Sequence, residues 1–169
     1  VCSSDLILLS QAQEEFKAFV EKTGIPVAST LMGLSALPCH HPLYVGYLGM
    51  HGNYAPNVKT NEADVIIAVG MRFDDRVTGD LSRYAKQARV IHIEIDPSEI
   101  NKNVKPEVAI NADAKEALLA LMPHVQERRH ELRVPDRRAE PQPAPRPLRR
   151  VLAVPPQRLL GVRDGRQRP

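Results

Sequence analysis

Arg72 and Arg76 flank Asp74 and Asp75 directly after Gly70, in the stretch from Asp64 to Asp80 that reads DVIIAVGMRFDDRVTGD. Two planar guanidinium forks at this spacing suit phosphate oxygens, and the glycine ahead of them lets backbone lie close to a ligand. The same charges could pair with one another in a surface turn, and spacing alone does not choose between the two readings. Context favours looking further. Val65, Ile66, Ile67, Ala68 and Val69 form an unbroken apolar run, β-branched at every position but Ala68, as in a strand buried on both faces of a parallel sheet. In open α/β sheets ligands gather beyond the carboxyl ends of the strands, which is where Gly70 to Arg76 falls.

The neighbouring segments must position that stretch. A helix is expected from about Ser10, with Ser10 and Gln13 at capping-box spacing and Ala12, Phe16, Phe19 and Val20 on one face, closed by Gly24 and Pro26. Ile25 to Thr30 and Tyr44 to Gly49 read as short strands. Asn53 to Glu62 reads as a helix with Pro56 in its first turn. After the central stretch come a helical turn over Leu81 to Lys86 and a strand over Arg89 to Asp96. A helix start at Asp96, Pro97 and Glu99 follows, then a strand over Val108 to Ile110. Asp113 and Glu116 then cap a helix carrying Ala114, Ala117, Leu118, Leu121 and Met122 as its apolar stripe. Strands alternating with helices, with no hairpin signal, imply an α/β fold: an open parallel sheet with helices on both faces. Neither GxGxxG nor GxxxxGK[ST] occurs.

Composition bounds the rest. The 169 residues suffice for one domain. Residues 1–125 carry eleven Lys and Arg against fifteen Asp and Glu, whereas residues 126–169 carry twelve against five. The basic pI belongs to the tail and gives no ground for nucleic-acid binding by the folded part. Aromatics are few and Trp is absent, which argues against stacking platforms for single strands. Cys2 and Cys39 have neither zinc nor disulfide spacing, and no apolar run reaches a membrane span. A cytoplasmic protein is expected. Residues 1–9, opening VCSSDL, are expected to be an artefactual or partial lead-in, with the domain occupying residues 10–125. In residues 126–169 prolines alternate with arginines and no period survives, so this basic tail is expected to be disordered. It reads either as an arginine-rich binding segment or, preferably, as an out-of-frame translation.

Four segments, PVASTLMG, YLGMHG, DVIIAVGMRFDDRVTG and HIEIDPSEINKN, taken in this order and spacing, resemble the central domain of the acetolactate synthase (acetohydroxyacid synthase) catalytic subunit, a thiamine diphosphate enzyme with a Rossmann-like central domain. The resemblance covers roughly Ser10 to Val125. It implies FAD in this domain, held by Thr30 and Leu31, by Leu48, Gly49, Met50 and His51, by Gly70, Met71, Arg72, Phe73 and Asp74, by Glu94 and Ile95, and by Asp113 and Ala114. Arg72 would meet the pyrophosphate and Glu94 the ribose hydroxyls. His51 would pack on the flavin or serve structure alone. Met50, Asp75 and Arg76 would border the substrate channel.

Two departures stand out. Glu94 replaces the family's usual Asp, and the strand with the family's glycine-rich segment, which should precede Ser10, is expected to be missing. The parent reaction condenses two pyruvates, or pyruvate and 2-oxobutyrate, with loss of CO2, using thiamine diphosphate and Mg2+ held by flanking domains. The magnesium motif has no match here: Asp164-Gly165 follows Arg163 instead of a glycine. The isolated chain is therefore expected to be inactive, with no catalytic or metal-ligating residue of its own. A homo-oligomer with a possible regulatory subunit is implied for the parent. Two alternatives remain: a sister enzyme of the pyruvate oxidase or glyoxylate carboligase type, against which RFDDRVTG argues, and a stand-alone nucleotide-binding module.

Overall fold

The structure, a computed structural model, describes residues 1–126. Apart from Gln126, the Pro/Arg-rich tail lies outside the described residues. Six parallel strands form one sheet: β1 (Cys2–Ser3), β2 (Val27–Ser29), β3 (Tyr44–Tyr47), β4 (Val65–Val69), β5 (Arg89–Glu94) and β6 (Val108–Asn111). Their spatial order is β3-β2-β1-β4-β5-β6. This is the order of dinucleotide-binding folds, in which chain direction across the sheet reverses between the first and fourth strands.

The period of two along β4 divides the core. Ile67 and Val69 point to one face, where they meet Phe16, Phe19 and Val20 of helix α2 (Gln13–Thr23) and Ala117 and Leu118 of helix α5 (Ala114–Leu121). Ile66 and Ala68 point to the other, with Cys2, Ala28, Leu48, Met71, Phe73, Tyr84 and Val90. Helix α3 (Tyr54–Glu62) and the one-turn helix α4 (Asp75–Thr78) lie on the chain's passage over that second face. Among the described residues no helix is long and apolar enough to cross a membrane.

Residues 1–9 correct the expectation of a lead-in outside the fold, and with it the expectation of a missing first strand. Cys2–Ser3 pairs with β2 on one side and β4 on the other, at the centre of the sheet. The ladder extends beyond it, since Ala28 N–H donates to Val1 O at 2.9 Å and Ser4 N–H to Val69 O at 3.1 Å. Backbone pairing of this kind takes any side chain that fits. Helix α1 (Leu6–Leu9) then buries Leu6 and Ile7 in the first core. Each such side chain contributes roughly 1.5–3 kcal/mol, enough to anchor a strand two residues long.

Two helix starts also differ from expectation. The Ser10–Gln13 capping box does not form: α2 starts at Gln13 behind Ala12, and Ser10 Oγ instead donates to Leu6 O at 2.6 Å, closing α1. At Asp96 the carboxylate accepts from Ser98 N–H at 2.9 Å, and a turn follows where a helix was expected. No apolar stripe follows Pro97 to repay a helix there. The Asp113 cap does form, accepting from Lys115 N–H at 2.8 Å and Glu116 N–H at 3.4 Å.

Candidate functional site

Because every strand runs the same way, the predicted residues all emerge at one edge of the sheet. Thr30 and Leu31 follow β2, Leu48 to His51 follow β3, Gly70 to Asp74 follow β4, Glu94 and Ile95 end β5, and Asp113 and Ala114 follow β6. Backbone bonds stitch the rim together: Leu48 N–H donates to Ser29 O at 2.9 Å, Met50 N–H to Arg76 O at 2.7 Å, and Gly70 N–H to Ile93 O at 2.8 Å. The bond to Arg76 joins the three predicted channel residues, since Asp75 opens the same short helix. Gly49 permits this contact. At φ +112, a Cβ there would stand 2.9 Å from Arg76 O.

The side chains divide by exposure. Leu31, Met50 and Ile95 are each more than half exposed (65%, 67% and 53%), giving the rim apolar surface. His51, Arg72, Asp74, Asp75 and Arg76 are also exposed. Among the described residues neither Arg72 nor Arg76 is in an ion pair, so the alternative of arginines neutralised by Asp74 and Asp75 is not what forms. Asp74 spends its carboxylate on Val77 N–H at 3.1 Å, capping α4. Leu48, Met71, Phe73 and Ala114 are buried and serve the core with their side chains. Thr30 Oγ1 donates to Ser4 Oγ at 3.0 Å, and Asp113 is consumed by its helix cap.

Glu94 is buried and turned back on its own chain. Its Oε1 accepts from Ile95 N–H at 2.9 Å and Asp96 N–H at 3.2 Å, and its Oε2 lies 3.9 Å from His92 Nε2. His92 was not among the residues predicted from sequence, although the alternation in HIEID puts it on the same face as Glu94. It is fully buried with neither ring nitrogen in a hydrogen bond of ordinary length and angle, although the Met71 backbone lies close enough to favour its charged form, and its ring meets Phe73 edge-on at 5.2 Å. Burial pushes its pKa below the ordinary histidine range, against the weaker pull of Glu94. Phe73 itself holds a left-handed φ of 54°, a conformation costly for an aromatic residue. Edge contacts to His92 and to Tyr84, at 6.3 Å, fix its ring there.

Set against a dinucleotide, this rim splits in two. From Thr30 onward it offers part of what such a ligand needs: an Arg72 in no ion pair among the described residues and exposed apolar side chains. Near β1 it does not. The depression where the strand order reverses has a volume of ≈ 100 Å³, well below the roughly 300–1,000 Å³ of ligand sites. Asp5, Glu94, Asp96 and Glu99 line it, with Arg72 the one cation among its lining residues. A larger cavity of ≈ 220 Å³ opens on the second face beside Tyr84, Val90 and Val104, and it includes none of the predicted residues.

Residues 5–121 match the family described as thiamine pyrophosphate enzyme, central domain. Acetolactate synthase 2, chloroplastic, of Nicotiana tabacum is 53% identical over 112 residues, 66% of this chain and 17% of that protein. The probable acetolactate synthase large subunit of Methanocaldococcus jannaschii is 48% identical over 116 residues, 69% of this chain and 20% of that protein. Acetolactate synthase 1, chloroplastic, of Zea mays is 51% identical over 105 residues, 62% of this chain and 16% of that protein. The chain thus spans a fifth or less of the length of these relatives. The six-stranded parallel sheet, the rim at its carboxyl edge and the match over residues 5–121 agree, and the chain belongs to the family of thiamine pyrophosphate enzyme central domains.

Proposed function

We propose that this chain is the central domain of an acetolactate synthase catalytic subunit, a transferase that joins two pyruvates, or pyruvate and 2-oxobutyrate, with release of CO2. The observation that carries the reading is near-half identity, over 112 and 116 residues, with proteins named for that activity. Thiamine diphosphate with Mg2+, when bound to the parent enzyme, supplies the decarboxylation and carbon–carbon bond formation. The task of this domain is positional. Its rim is the parent's flavin dinucleotide site, with Arg72 near the phosphates and Leu31, Met50 and Ile95 supplying apolar surface. Met50, Asp75 and Arg76 face the 2-oxo acid substrates. A domain alone performs none of this chemistry, so the isolated chain turns over no pyruvate, and the working assembly is an oligomer of full-length subunits.

A chimera tests the reading. Residues 10–121 replace the matching segment of the Methanocaldococcus jannaschii relative, and acetolactate is assayed from pyruvate with thiamine diphosphate, Mg2+ and FAD. The expected result is acetolactate formation by the chimera and none by the isolated chain. A folded, cofactor-loaded chimera that consumes no pyruvate, or releases acetate in place of acetolactate, overturns the assignment.

A further inference from the structure

β1 ends at Ser3, where the order of strands reverses and where folds of this order place a pyrophosphate against a glycine-rich turn. The turn here reads Ser4, Asp5, Leu6 and contains no glycine. Leu6 is buried against Gly70, which takes φ +68: a Cβ on Gly70 would stand 2.3 Å from Leu6 Cβ. The bare face that glycine leaves is therefore filled by Leu6, and the Gly70 N–H is already bonded to Ile93 O at 2.8 Å. Asp5 adds a carboxylate to a depression whose lining already includes Asp96, Glu94, which accepts from the Ile95 and Asp96 N–H groups, and Glu99, which Lys102 pairs at 2.7 Å, with Arg72 as the one cation among its lining residues. A diphosphate brought there meets like charge, and such juxtapositions cost binding energy.

We propose that Asp5 and Leu6 close this chain's own switch-point crevice to the pyrophosphate of a dinucleotide, and that these two residues set its affinity for FAD. The inference rests on the flavin-site reading above and concerns residues which that reading does not use. Asp5→Asn removes the charge at constant shape, and Leu6→Ala clears the crevice while keeping the helix.

The test titrates the full 169-residue chain, its two single variants and the Asp5→Asn/Leu6→Ala pair with FAD and separately with ADP, following flavin fluorescence and calorimetric heat, with circular dichroism reporting the fold. The pair should bind both ligands at least roughly tenfold more tightly than the wild type, equivalent to about 1.4 kcal/mol. Should Leu6→Ala unfold the chain, Asp5→Asn alone must still tighten both ligands. Equal FAD affinity in the wild type and the variants overturns the proposal and leaves the flavin site standing. Tightening for FAD without tightening for ADP overturns it as well, because the gain would then lie away from the phosphates. Absence of binding by every folded form overturns both the proposal and the flavin-site reading.

Discussion

Substituting Gly70 by alanine tests the junction between the first residues and the central strand. Gly70 sits at φ +68, and a Cβ built there meets Leu6 Cβ at 2.3 Å, with Leu6 Cα and N at 3.3 Å. Two costs combine. A side chain in the left-handed region loses about 1–2 kcal/mol, and forcing an extra carbon into a packed core adds about 1–3 kcal/mol. Gly70→Ala should therefore destabilise the domain by about 2–5 kcal/mol. Urea unfolding followed by far-ultraviolet circular dichroism measures this directly, since the chain has no Trp to report by fluorescence. A double-mutant cycle with Leu6→Gly separates the terms. Removing the opposing Cβ relieves the clash and leaves the backbone cost, so the pair should be less destabilised than the sum of its parts by about 1–3 kcal/mol. A Gly70→Ala variant within about 0.5 kcal/mol of the wild type, or a strictly additive cycle, would refute the packing of α1 on the end of β4.

Two further outcomes follow from buried or capping side chains elsewhere in the fold. His92 is buried with its pKa held below the ordinary 6.5, so the unfolded chain takes up a proton near that pH which the folded chain refuses. Stability should be full above about pH 6.5 and fall as pH drops below it, and His92→Gln should flatten the dependence of the urea midpoint between about pH 7.5 and 5.5. Asp113→Ala removes an acceptor for the N–H groups of Lys115 and Glu116 and should cost about 1 kcal/mol, visible as a lowered urea midpoint with unchanged slope.

What the sequence disclosed and what it hid have separate physical causes. The run Val65–Val69 and the alternation in Arg89–Glu94 are dictated by burial, and both strands stand where the pattern puts them. Asp113 and Glu116 were legible as a helix start because an apolar stripe follows them, on Ala114, Ala117 and Leu118. The same capping signal misled at Asp96, where Ser98 and not a helix takes the carboxylate, and at Ser10, whose hydroxyl closes the helix before it. Cap residues serve turns as readily as helices, and only a following periodicity decides. Residues 1–9 escaped because a central parallel strand is held by backbone hydrogen bonds, which a reading of side chains does not see. The rim was legible as a set of strand ends. The blockage of its β1 end was not, because it depends on Leu6 meeting Gly70 across the fold.

The carboxyl ends of β2 and β3 form the open part of a dinucleotide rim whose β1 end Asp5 and Leu6 close. Backbone amide NMR of the 169-residue chain with saturating FAD tests it most directly. The amides of Leu31, Gly49, Met50 and His51 should shift most. Shifts confined to Val90, Val104 and Lys105, around the larger cavity on the second face, would contradict the account.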